Sequence, residues 1–173
     1  MRSTPCSVSF AVTGVITLVI GCGSGTEAGE DMTRDLDRVE VTAGAMRGEL
    51  DRHENAIANA SDLAAFEALE REHRGAMASP MDEGDHVLAD MNGSCRHRES
   101  QERGRMQPMQ AAMTDLRAEL GRHHDAPRLD LASARAEENA HLARSRAALS
   151  RLLDEAAAMR HEAGSYRCTH GMH

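Results

Sequence analysis

Aromatic side chains are nearly missing from this sequence: two Phe, one Tyr and no Trp in 173 residues. With only four Pro besides, that scarcity excludes most β architectures. Lysine is absent altogether, so all 20 basic residues are Arg. They are outnumbered by 28 acids, for a formal charge of −8. Such a surface repels nucleic acid, and no nucleic-acid partner is expected. No apolar run approaches the roughly 20 residues of a membrane span. A Ser-His-Asp pattern, a phosphate loop and a nucleotide fingerprint are all missing, which leaves hydrolase and nucleotide readings without support. What remains is Ala, Glu, Arg, Leu and Met, with hydrophobic residues at 40 %. That composition predicts one all-α domain packed through aliphatic and thioether side chains.

The first residues read separately. Val8 to Ile20 is an apolar run of 13, the length of a signal-peptide core. Val19-Ile20-Gly21-Cys22 follows and resembles the bacterial lipobox, in which the Cys is lipidated and becomes the new N-terminus. The resemblance implies a signal peptide over 1–21, lipidation of Cys22, and, with Gly23 next, the periplasmic face of the outer membrane. Acyl chains hold a protein at a membrane because each buried methylene contributes about 0.8 kcal/mol. Residues 22–31, rich in Gly and acids, are expected to form a tether.

The body is internally duplicated. Arg47-Gly48-Glu49-Leu50-Asp51-Arg52-His53 matches Arg117-Ala118-Glu119-Leu120-Gly121-Arg122-His123 at five of seven positions. Farther on, Asp62-Leu63-Ala64 matches Asp130-Leu131-Ala132, Glu70 matches Glu138, and His73 matches His141. Cys95-Arg96-His97 is echoed by Cys168-Thr169-His170. The repeats are two helical hairpins, about 32–97 and 102–170, in a body of 32–168 with a His/Met tail at 169–173. Helix A is expected from Thr33 to Ala58, B from the capping Asp62 to Met91, C from Glu102 to Asp125, and D from the capping Asp130 to Ala163-Gly164. Pro80 should bend or break helix B by removing a backbone donor and crowding the preceding turn. The short link after Asn92-Gly93-Ser94 cannot run back along the bundle, which predicts an up-down-up-down order.

Spacing of three and four residues marks the inner stripe of each helix. Helix A gives Val39, Thr42, Met46, Glu49, His53 and Ala56. Helix B gives Leu63, Phe66, Glu70, His73, Met77, Met81, Gly84, Leu88 and Met91. Helix C gives Met109, Ala112, Leu116, Glu119 and His123, and helix D gives Leu131, Ala134, Glu138, His141, Ser145, Ala148 and Leu152. Every stripe thus carries one Glu and one His, at matched distances from the hairpin turns. An unpaired buried carboxylate costs several kcal/mol, so four of them with four His on the seams call for a compensating charge. A transition-metal ion would supply it. The alternative is a solvated, ion-paired seam, with Arg52, Arg71 and Arg122 within reach.

On Glu49, Glu119, Glu70 with His73, and Glu138 with His141, the sequence resembles the ferritin-like di-iron carboxylate bundles. In those bundles two helices each give a Glu and two each give Glu-x-x-His. The resemblance implies one or two metal ions among these residues, with His73 and His141 as terminal ligands. His53 and His123 add two imidazoles to the family pattern, and imidazole with carboxylate also suits Zn, Mn or Ni. Iron and zinc are the leading expectations. Haem between two His is disfavoured by the scarcity of aromatics and the lack of Cys-x-x-Cys-His. Met106, Met109 and Met113, with the ending His170-Gly171-Met172-His173, leave copper open, although Met at helical spacing is core filler more often.

With Cys6 in the signal and Cys22 lipidated, Cys95 and Cys168 remain in an oxidising compartment. A disulfide between them would stabilise by about 4 kcal/mol on the chain-entropy account. The competing arrangement is a tetrahedral metal site of Cys95, His97, Cys168 and His170. The function expected from all this is storage, buffering or sensing of a metal by an envelope lipoprotein. A metal-free lipoprotein that scaffolds partners is the alternative. Tyr166 as sole Tyr leaves little support for oxidation chemistry, so an enzyme of the di-iron oxidoreductase type is the lesser expectation.

Overall fold

The computed structural model describes residues 27–94, 100–125 and 128–165. The expected signal peptide, Cys22, Cys95, His97, Cys168, His170 and the C-terminal tail lie outside the described residues. Within them the chain forms four helices: α1 (Glu27–Ala58), α2 (Leu63–Ser94), α3 (Ser100–Asp125) and α4 (Leu131–Ser165). α1 packs on α2 and α4, α3 packs on α4 and α2, and the α2–α4 diagonal touches only lightly. This is an up-down-up-down four-helix bundle built from a duplicated hairpin. Among the described residues, no helix is long and apolar enough to cross a membrane.

The second helix of each hairpin starts from the same cap. Asp62 Oδ1 accepts from the Ala65 amide at 2.8 Å, and Asp130 Oδ1 accepts from the Ser133 amide at 2.7 Å. Each removes one of the unpaired amides at a helix start. Arg135 in the first turns of α4 donates to the Ala60 carbonyl at 2.8 Å, which places both turns at one end of the bundle.

Two features differ from the sequence expectation. α2 runs unbroken through Pro80 to Ser94. The proline removes one backbone bond, but the buried Met77, Met81, Leu88 and Met91 on either side hold the helix on its neighbours. α1 begins at Glu27, inside the stretch expected as tether. The burial of Met32 and Leu36 anchors its first described turns on the bundle.

The interior is layered. At the turn end Ile57, Ala60, Phe66 and Ala134 form a small cluster, and the guanidinium of Arg128 lies 5.2 Å from the Phe66 ring centre. The larger core runs the other way and is rich in Met and Leu, from Leu50, Leu116 and Leu142 to Met32, Met91 and Met159. Helices α2 and α3 approach closely there, since a Cβ on Gly84 would lie 2.8 Å from Met113 Cε. Between the two apolar clusters lies a layer of Glu and His.

Candidate metal centre

All eight stripe residues are buried: Glu49, His53, Glu70, His73, Glu119, His123, Glu138 and His141. The alternative in which helix rotation turns them toward solvent is thereby removed for these side chains. Only the stripe ends Ala56, Leu63 and Leu131 are less than fully buried, and in α1 Ile57 takes over from Ala56.

The layer has an approximate two-fold symmetry that follows the duplication. Glu70 and Glu138 lie at its centre. His53 Nε2 is 3.2 Å from Glu70 Oε1 and 3.4 Å from Glu138 Oε1. His123 Nε2 is 2.7 Å from Glu70 Oε2 and 2.8 Å from Glu138 Oε2. Each central carboxylate therefore faces an imidazole from either repeat. The rings stack in pairs, His53 on His73 with centres 4.0 Å apart and His123 on His141 with centres 4.1 Å apart.

Glu49 and Glu119 sit differently. Glu49 Oε1 lies 3.0 Å from His73 Nδ1, and Glu119 Oε1 lies 3.5 Å from His141 Nδ1. Their remaining charge is already met at the bundle surface. Arg52 pairs with Glu49, while Arg122 at 2.5 Å and Arg144 at 2.8 Å pair with Glu119. Arg71, also expected within reach of the layer, lines a surface cleft beside Glu70. The geometry so divides the four carboxylates: two converge on one another, and two stand behind a histidine. A carboxylate on one imidazole nitrogen fixes the ring and its tautomer, leaving the other nitrogen for a ligand.

Several buried atoms are left over. His73 Nε2, His123 Nδ1, both ring nitrogens of His141 and both oxygens of Glu138 lack an aligned hydrogen bond. The Glu138 oxygens are near His53 and His123 without lying along their N–H directions. Two ligand-like groups result, His53 with Glu70 and Glu138, and His123 with Glu138 and His141, each with one donor atom per residue within 4.8 Å of the others. Among the described residues the donors are imidazole and carboxylate with no thiolate, a set that fits a divalent transition ion. Buried polar atoms without partners are rare and costly, which gives these weight.

Electrostatics follow the same division. Burial opposes ionisation of Glu70 and Glu138, but His123 and His53 outweigh it and hold both carboxyls well below the usual range. Burial likewise opposes charge on His123, yet Glu138 and Glu70 push it up to about 9, and His53 is raised for the same reason. His73 is pushed down to about 4 by burial and then by the charge on His53; burial and His123 do the same to His141. Burial is also the opposing influence at Glu119, which Arg122 and Arg144 hold low. The layer thus sets its two central carboxylates against an imidazolium at His123 with Arg128 beside Glu70, and keeps His73 and His141 neutral, the form that binds metal.

Sequence reasoning missed two members of this network. Arg144 reaches Glu119 from α4, and Arg128 reaches Glu70 from the α3–α4 turn. Neither falls on an inner stripe, so periodicity carried no signal for them.

Fold and site together define a class, a four-helix bundle with a buried Glu/His layer between two apolar clusters. Comparison with protein families, with characterised proteins and with solved structures finds no match to the chain.

Proposed function

We propose that this protein is a lipid-anchored envelope protein whose bundle holds one or two transition-metal ions, iron or zinc, for storage, buffering or sensing. The observation that carries the proposal is the convergence of fully buried His and Glu with unpartnered donor atoms, above all on His141. Glu70, Glu138, His53, His123, His73 and His141 would hold the metal. Glu49 and Glu119 would orient His73 and His141 from behind. The bound ion would supply the positive charge that two central carboxylates need without protons on His53 and His123. Cys22 would carry the lipid, and a disulfide between Cys95 and Cys168 would close the end opposite the hairpin turns.

A second reading has its own support, a metal-free helical lipoprotein that scaffolds partners. The layer can balance its own charges, because His123 is held protonated between Glu70 and Glu138 and Arg128 adds a cation beside them. Thermal melting separates the two. A metal-holding bundle melts at lower temperature in chelator and recovers on addition of Fe(II) or Zn(II), a response that Glu70→Ala with His141→Ala abolishes. A bundle that melts identically with and without chelator and added metal favours the scaffold.

A further inference from the structure

The two-fold symmetry of the layer fails at its central carboxylates, as it does at the outer pair, where Arg144 reaches Glu119 and no equivalent arginine reaches Glu49. Arg128 has no counterpart in the first repeat, where the position related through the Asp62 and Asp130 caps is Ala60. Its side chain is 9 % exposed and points inward. Nη2 lies 3.1 Å from Glu70 Oε2, 3.2 Å from His123 Nε2 and 3.2 Å from the His123 carbonyl oxygen. The guanidinium so occupies the space that the Glu70 and His123 donor atoms face. It also lies against the face of Phe66, which fixes its approach.

The same arginine borders a cleft of about 250 Å³, lined by Glu67, Glu70, Arg71, His124 and Arg128. This cleft reaches Glu70 from solvent between α2 and α3. The Met/Leu core closes the layer on one side, and the cluster around Phe66 closes it on the other.

We propose that Arg128 is a built-in counter-cation of the metal-free state and the latch of this cleft. In the metal-free protein its guanidinium neutralises Glu70 in place of a metal. Loading requires it to leave Glu70 and His123 and swing outward into the cleft, which is also the path by which an ion reaches Glu70. The only bonds broken are those that Arg128 donates to Glu70 Oε2 and to the His123 carbonyl. The inference rests on the proposed metal centre and adds its path and its competitor. The absence of a second arginine at Ala60 makes the device one-sided, so the half of the layer around His53 and Glu138 carries no latch.

The test compares Co(II) binding by the wild-type protein with Arg128→Met and Arg128→Lys, by chelator competition and stopped-flow absorbance. Methionine keeps apolar contact with Phe66 and removes the charge, whereas lysine keeps the charge. Hydrogen bonds to charged groups are worth enough that removing the competitor should tighten Co(II) by about 10- to 100-fold. Arg128→Met should bind tighter and load faster, with Arg128→Lys near wild type, and the metal-free Arg128→Met protein should melt lower than the metal-free wild type. Equal or weaker Co(II) binding by Arg128→Met, with wild type still binding, overturns the latch and leaves the metal centre standing. Failure of wild type and both variants to take up Co(II), seen also as no change in melting, overturns the latch together with the metal centre.

Discussion

The inner carboxylates Glu70 and Glu138 and the outer carboxylates Glu49 and Glu119 come from equivalent positions on equivalent stripes, yet they do different work. All four are buried. The outer pair is matched by surface arginines and turns one oxygen toward a histidine ring. The inner pair meets imidazoles and each other, with Arg128 on Glu70 alone. Burial alone therefore does not mark a ligand. What marks it is burial without a counter-ion anchored at the bundle surface, because such a carboxylate needs a proton, a protonated histidine, an inward-turned arginine or a metal.

Variants can break this contrast, and the largest effect is expected at the centre. Replacing Glu138 by Ala, or Glu70 with His141 by Ala, should abolish the metal-dependent rise in melting temperature. At 100-fold excess of metal over its dissociation constant, that rise corresponds to about 2.7 kcal/mol. Glu49→Gln and Glu119→Gln should weaken metal binding by about 10- to 100-fold without abolishing it, the size found when a partner behind a ligating histidine is lost. Competition with a chromophoric chelator measures both. An outer variant that loses all binding would erase the distinction.

A smaller effect concerns pH in the metal-free protein. His123, raised to about 9 from an ordinary value of 6.5, gives stability that is complete below 6.5 and is lost as pH rises toward 9. His73 and His141 are lowered to about 4, so between 6.5 and 4 the unfolded chain takes up protons that the folded one refuses. Stability falls as pH drops through that window. Melting in chelator should accordingly peak near pH 6.5 and decline on both sides, and a flat profile from 5 to 9 would contradict the charge pairing. Smallest of all, Arg52→Ala should change stability by no more than about 1 kcal/mol in urea unfolding, since its side chain is 70 % exposed.

Much of this could be read from the sequence, and the limits have physical causes. A spacing of three and four residues fixed the buried face of each helix, since a helix in a bundle must turn its apolar stripe inward. The duplicated Asp62 and Asp130 marked both turns, because a cap is a local interaction. Pro80 does not break α2, because the local cost of a proline is outweighed by the burial of Met77 and Met81. The division of the carboxylates was not legible either: Glu49 and Glu70 look alike on a stripe, and only the lateral neighbours Arg52, Arg144 and Arg128 separate them. Those neighbours depend on helix rotation and on the turn before α4, which periodicity does not specify.

Elemental analysis decides whether the Glu/His layer holds a metal. The protein from Gly23 onward would be purified without a metal-affinity tag from metal-supplemented cells, beside Glu70→Ala/His141→Ala. About one or two equivalents of a transition metal are expected in the first protein and none in the second. No bound metal in either protein, or equal metal in both, would contradict a centre built from this layer.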